Sequence, residues 1–311
     1  MGRMAVEAVT LLSGKAKAQK KKDQWGRKLA FLCALTVILL TLSIVIFISS
    51  KGLSTFFVNG VSVKEFFFST EWAPDRIIEE GGPKVGVLAF IFGSVTVSLL
   101  AVLISAPLSF ITAIFMVEIA PGWGQRILQP TIELLAGIPS VVYGYIGLSV
   151  LVPFIREHVG GLGFSLLAGV MVLSVMVIPT IVSMSVDSLR ALSPQLKEAA
   201  YALGSTRWQT IRLVLLPAAK TGLFTGVILG LARAFGEALA VQMVIGNTKQ
   251  IPESILDQMA TLTSGITMDM GYTVVGSLWN NTLWSMAMIL LLMSFFSILI
   301  IRRISKRGAN C

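Results

Sequence analysis

The sequence contains one histidine, His158, and two cysteines, Cys33 inside an apolar run and Cys311 at the last position. These cysteines cannot build a disulfide framework, and a Cys/His metal site has too few ligands to form. Charge is also scarce. Asp, Glu, Lys and Arg make up 13% of the 311 residues, where soluble domains carry about a quarter. That shortage argues against a water-soluble enzyme, and 55% hydrophobic content with a mean hydropathy of +0.82 points to lipid. Also missing is a G-x-x-x-x-G-K-[ST] phosphate loop, since the Gly14-Lys15 pair is followed by Ala16. The chain is therefore not expected to be its own ATPase. No histidine lies in an apolar run and Glu237 is the one carboxylate within such a run, so an intramembrane hydrolase lacks its constellation. No catalytic residue and no metal site is assigned.

What the sequence has is apolar length. A membrane-crossing helix needs about 20 apolar residues, and uncharged stretches occupy 29–50, 85–117, 134–155, 162–186 and 270–301. A sixth, 221–248, is broken only by Arg233 and Glu237. The chain reads as all-α, a polytopic membrane protein of six transmembrane helices with a permease domain over 29–301. Basic residues orient it. The tail 1–28 holds eight Lys and Arg, the turn 118–133 one, the loop 187–220 five and the tail 302–311 four, whereas the loops on the other side hold six. Both termini are thus expected in the cytoplasm, with the chain in the plasma or inner membrane. The net charge of +9 orients the protein and does not signal nucleic acid. The basic segment 15–28 reads as a solvated, orienting tail beside membrane lipid. The run 29–50 is too long for a signal h-region of about 7 to 15 residues, and no Ala-x-Ala site follows it, so it reads as a retained first helix.

The external loop 51–84 carries Phe66, Phe67, Phe68 and Trp72 among Lys64, Glu65 and Glu71. Aromatics beside charges at a membrane edge suggest an interfacial anchor, with a partner-docking surface as the alternative. The run 85–117 exceeds one crossing and is expected to tilt, bend at Pro107 or project beyond the bilayer. Proline and glycine in AGIPSVVYGYIG (136–147) and at Pro179 are expected to serve helix packing unless a water-filled path takes up the freed backbone groups.

The segment 193–219, SPQLKEAAYALGSTRWQTIRLVLLPAA, reads as helix, tight turn, helix. Ser193 is placed to cap a helix that starts at Pro194, Gly204 suits a left-handed C-terminal turn, and Thr206 with Gln209 forms a capping box. Held between two spans at the membrane surface, its exposed face must meet a cytoplasmic partner. Glu198-Ala199-Ala200, then Gly204, then Val214 and Leu216-Pro217 resemble the EAA signature of ABC-importer permeases, which usually has Ile where Val214 stands. That resemblance implies the type I ABC importer permease fold. It also makes Glu198, Ala199, Ala200 and Gly204 the coupling element that sits in a cleft of an ATP-binding subunit.

In GLARAFGEALAVQMVIGN, Arg233 and Glu237 stand four residues apart, which predicts one helical face. A central Arg costs about 2.5 to 3.5 kcal/mol to insert, so both charges should face protein or water. They either neutralise one another as an ion pair or serve a translocating anion. This segment, with LAGIPSVVYG (135–144), FFFSTEW (66–72) and the EAA loop, resembles the phosphate-specific ABC importer permeases, more the PstC type than its partner PstA. The resemblance covers about 29–301. It implies inward movement of inorganic phosphate by alternating access, with Arg233 and Glu237 on the translocation path. It also implies a PstA-like second permease, a dimer of PstB-like ATP-binding subunits that carry the ATP and Mg, and a PstS-like external phosphate-binding protein. An importer of another oxyanion, such as molybdate, sulfate or phosphonate, is the near alternative. A membrane sensor or regulatory subunit that does not conduct substrate is the rival from another class.

The charge distribution predicts a labelling pattern. With both native cysteines replaced, single cysteines at Glu79 and Asp257 should react with an impermeant thiol reagent in intact cells, and one at Ser205 should not. Labelling of Ser205 from outside would overturn the orientation.

Overall fold

The computed structural model describes the backbone of residues 2–77, 79 and 81–308, with side chains chiefly within 25–300. Cys311 and the end of the tail 302–311 lie outside the described residues. Residues 1–50 and 51–311 form two compact units. The first consists of most of α1 (Gly2–Phe57). Its Leu29, Phe31, Leu32, Val37, Ile38 and Leu40 are exposed, as suits a helix whose solvent is lipid.

In the second unit, α2 (Val63–Phe68) and a two-residue antiparallel hairpin, β1 (Trp72–Ala73) with β2 (Lys84–Val85), lead into α3 (Leu88–Ile114). A π-helical turn, Phe115–Ile119, extends α3 to the corner formed by α4 (Pro121–Trp123) and a second π turn at Gly124–Leu128. The chain continues as α5 (Gln129–Gly137), α6 (Ser140–Ile146), a third π turn at Gly147–Leu151 and α7 (Val152–His158). Next come α8 (Leu166–Arg190), α9 (Pro194–Ala202) and α10 (Arg207–Thr210), which runs through a π turn, Ile211–Leu215, into α11 (Leu216–Phe235). The short α12 (Leu239–Ile245) and α13 (Leu262–Asp269) precede α14 (Leu278–Gly308). Among the described residues, six helices are long and apolar enough to cross a membrane: Trp25–Phe57, Leu88–Ile119, Ser140–His158, Leu166–Arg190, Arg207–Phe235 and Leu278–Ile300.

The all-α, six-span architecture is the expected one, but three apolar runs are cut differently. The run 221–248 is not a single span: its helix begins at Arg207 and stops at Phe235, where Gly236 caps it, and α12 restarts at Leu239. The run 134–155 is broken at Ile138, whose ψ of 128° is the extended backbone that a following proline demands. In 270–301, the crossing helix starts only at Leu278, after Gly276 with φ +85°.

The aromatic loop also departs from the interfacial reading. Phe66 is completely buried, edge-to-face with Phe56 and Phe67, and packs with Phe90, Leu262, Leu283 and Met286. Trp72 lies edge-to-face on Phe90, and its indole N–H donates to Asp269 Oδ2 at 3.1 Å. Lys249 Nζ stands 3.3 Å from the same carboxylate oxygen. Phe68 is exposed. The segment is therefore folded into the protein, with Phe66 in the core and Phe67 and Trp72 packed against it.

Helix α8 is the spine. Leu173, Val177 and Ile181 pack against Val97 and Ala101 of α3, Ala234 of α11 and Val241 of α12. Lipid tails are as apolar as these side chains, so close van der Waals fit and interhelical hydrogen bonds must hold the contact. Ser109 Oγ donates to Ile178 O at 3.4 Å, and the Ser174 hydroxyl shares its proton between Val170 O of its own helix, at 2.7 Å, and Ala101 O, at 3.2 Å, tying α3 to α8. On α11, Gly222, Gly226 and Gly230 recur every fourth residue and face α8. A Cβ at Gly230 would stand 2.8 Å from Ile181 Cγ1 and 2.9 Å from Val177 Cγ1.

Gly230→Val should consequently overpack this seam and lower stability by about 1–3 kcal/mol, read as a depressed midpoint of thermal unfolding in detergent. Gly26→Val serves as the control, because nothing lies within 4 Å of a Cβ there. Equal midpoints for the two variants would contradict the packing described.

Candidate functional site

Two places concentrate the polar chemistry of the second unit. The first is the surface hairpin. Helix α9 starts at Pro194, and Ser193 stands at its N-cap without a side-chain cap bond, so the expected Ser193 cap is absent. Its C-terminus is a Schellman turn: Ser205 N–H donates to Ala200 O at 3.2 Å and Gly204 N–H to Tyr201 O at 2.9 Å. Gly204 has φ +79°. The capping box forms as expected, with Gln209 N–H donating to Thr206 Oγ1 and Thr206 N–H to Gln209 Oε1.

Of the EAA residues, Ala200 is buried, whereas Glu198, Ala199 and Gly204 are exposed. Leu203 and Trp208 are exposed beside them, so the hairpin presents an apolar and acidic outer face. Its inner face is tied down by residues that sequence reasoning missed. Lys197 pairs with Glu118 at the end of α3, and Arg207 Nη2 donates to Ile119 O at 3.1 Å. Glu118 is only 8% exposed, so its ion pair counts for more than a solvated surface bridge. The available signal was a carboxylate closing a long apolar run and a lysine on the EAA helix, which the charge count assigns to the same side of the membrane.

The second place is the break after α11. Arg233 and Glu237 do not share a helical face, because the helix ends between them. No ion pair joins them among the described residues, whose four pairs lie elsewhere. Each is bound separately. Arg233 Nη1 donates to Thr180 Oγ1 at 3.0 Å. Glu237 Oε1 accepts from Ala240 N–H at 3.0 Å, closing the first turn of α12, and Glu237 O accepts from Thr263 Oγ1 at 2.8 Å. Both side chains are half-buried.

The break sits against a second one. Gly144 of α6 meets α12 so closely that a Cβ would come within 2.9 Å of Ala240 Cα. Across the Ile138-Pro139 interruption, Tyr143 Oη donates to Leu135 O at 2.8 Å. Two discontinuous segments, 135–144 and 233–246, thus pack together through α6 and α12. Glu237 also borders a cavity of about 10 Å³ with Ser94, Ser98, Thr261 and Thr263, large enough for one water at most. Among the described residues, no cluster of three His, Cys, Asp or Glu is placed to hold a metal ion.

Six apolar helices, two interrupted segments packed on one another and a capped surface hairpin belong to a multi-pass membrane permease. The chain belongs to the family of binding-protein-dependent transport system inner membrane components, whose model matches residues 105–309. It is 58% identical, over 91% of its length and 90% of the relative's, to the "Probable ABC transporter permease protein YqgH" of Bacillus subtilis. It is 37% identical to the "Phosphate transport system permease protein PstC" of Xylella fastidiosa strain 9a5c, covering 81% of this chain and 82% of that one. Among solved structures, an inward-facing MetNI methionine ABC transporter matches with a TM-score of 0.51 at 22% identity, covering 70% of this chain and 94% of that one. That likeness concerns the fold. The protein is a multi-pass component of the inner membrane.

The hairpin geometry generates a graded expectation. Nothing lies within 4 Å of a Cβ at Gly204, so a substitution there is opposed only by its positive φ. Gly204→Ala should cost the turn about 1–2 kcal/mol and Gly204→Val more, since a β-branched residue fits the left-handed region worst. Hydrogen exchange of the α9 amides should quicken in that order. Unchanged protection in Gly204→Val would show that the turn does not depend on glycine.

Proposed function

We propose that this chain is the permease subunit of an ATP-driven importer of inorganic phosphate and forms the translocation path by alternating access with a second permease. The observation that carries the reading is Arg233. It is a half-buried cation inside the membrane-spanning layer, bonded to a neutral hydroxyl and not cancelled by Glu237. An uncancelled intramembrane cation is expensive, and its expense is best understood if an anion neutralises it in passing. The relatives named phosphate permeases support phosphate as that anion.

The likeness to phosphate permeases supports a larger assembly around this chain. A PstA-like permease would complete the path, and a PstS-like external protein would deliver the anion. A dimer of PstB-like subunits would bind and hydrolyse ATP with Mg, because this chain has no phosphate loop. The exposed Glu198, Ala199 and Gly204 would meet that dimer in the cytoplasm, where both termini also lie. Glu237 would act on the same path by building its wall, since its side chain closes the start of α12.

Phosphate uptake into proteoliposomes holding the whole complex tests the reading. Arg233→Gln should abolish uptake while the complex still assembles and hydrolyses ATP. Arg233→Lys should keep part of it, because the charge remains but the planar fork is lost. Glu237→Gln retains a carbonyl acceptor for Ala240 N–H, so the fold should survive and any loss of uptake would report charge. Sulfate and molybdate in excess should leave phosphate uptake intact. Near-normal uptake by Arg233→Gln would remove Arg233 from the path, and full competition by either anion would move the substrate to a wider oxyanion class.

A further inference from the structure

Thr180 follows Pro179 in the middle of α8. Ser174, Ser185 and Ser188 on the same helix each donate to the carbonyl one turn back, at Val170, Ile181 and Met184. The Thr180 oxygen instead accepts from the Arg233 guanidinium of α11. Among the described residues, no acceptor takes the Thr180 hydroxyl proton. A hydroxyl that accepts from a cation still has that proton to give, and the guanidinium still has donors to spare after one bond. The two side chains therefore place several convergent donors within about one hydrogen-bond length of each other.

Their depth fits a transported ion. Thr180 is ten residues from Arg190 and fourteen from Leu166, about 15 and 21 Å along the helix, hence near its centre. Neither Thr180 nor Arg233 is fully buried, so the donors are not sealed in core. The Tyr143 hydroxyl, in contrast, has spent its proton on Leu135 O at 2.8 Å and offers an anion no donor.

We infer that Thr180 is a positioning and anion-binding residue of the translocation path: it aims the Arg233 guanidinium and offers its own O–H to an oxyanion of the phosphate class. The inference rests on Arg233 being the path cation. An oxyanion with at least three oxygens suits the arrangement, since two can face the guanidinium fork while another takes the hydroxyl proton.

The test uses the complete complex in proteoliposomes with radiolabelled inorganic phosphate. Thr180→Val keeps the shape but removes acceptor and donor, and should lower kcat/KM for uptake about tenfold or more, as for loss of a hydrogen bond to a charged group. Thr180→Ser should stay within about twofold of the parent, because it keeps the hydroxyl. The amount of assembled complex should not change. In an Arg233→Lys background, Thr180→Val should cost clearly less, as expected if it acts through the guanidinium. If Thr180→Val fails to accumulate, Thr180→Ala read against Thr180→Ser gives the same comparison. Normal uptake by Thr180→Val, or equal loss in Thr180→Ser, overturns the inference while Arg233→Gln remains inactive. Normal uptake by Arg233→Gln instead removes the path reading and the inference with it.

Discussion

A backbone amide that leaves a helix inside lipid has no water to bond, and the interior of this permease is arranged around that fact. The break between Phe235 and Leu239 opens amides and carbonyls in the membrane-spanning layer, and protein groups meet them. The Glu237 carboxylate takes the Ala240 amide, and Thr263 gives its proton to the Glu237 carbonyl. The break at Ile138-Pro139 is handled likewise, by the Tyr143 phenol on the Leu135 carbonyl. Each repair needs a polar side chain in an apolar stretch. Polar residues that look like isolated exceptions in the sequence are therefore conditions for bending the chain there at all.

Once bent, the two segments need a surface to lean on, and α8 supplies it. Its contacts with α3 and α11 are made at short range, through Gly222, Gly226 and Gly230 and through serine-to-carbonyl bonds, because lipid offers little hydrophobic reward for helix pairing. Such a seam is stiff. It holds Thr180 opposite Arg233 within hydrogen-bond distance, with the guanidinium half-buried. Stability and site are thus set by the same interface, with small residues along α11 and a polar pair near its end.

Much of this was legible in the residues. Six apolar runs gave the crossings, because lipid demands them of any spanning chain. The hairpin could be read closely, down to Gly204 and the Thr206–Gln209 box, since caps depend on neighbours in sequence. What stayed hidden depends on distant partners. Arg233 and Glu237 stand one turn apart by count, and nothing local shows that the helix ends between them, since Gly236 is one glycine among many. Phe66 was read at the surface because its run holds charges, yet the cavity it fills is made by Leu262, Leu283 and Met286, two hundred residues on. Ser193 kept its place at the helix start without making the bond. The Lys197–Glu118 pair, 79 residues apart, leaves almost no trace in one sequence.

The continuity of Arg207–Phe235 has a mechanical consequence. One helix begins at the surface hairpin, whose Arg207 is bonded to the end of α3, and carries Arg233 twenty-six residues later, an arm of about 39 Å. A tilt of about 5° at its base sweeps the far end through about 3 Å, the length of one N–H···O bond. That is enough to separate a guanidinium from its hydroxyl partner, or bring them together. A rod that long, rooted in the hairpin, converts small angular error into chemical difference, so the stiffness of its root matters as much as the groups at its tip.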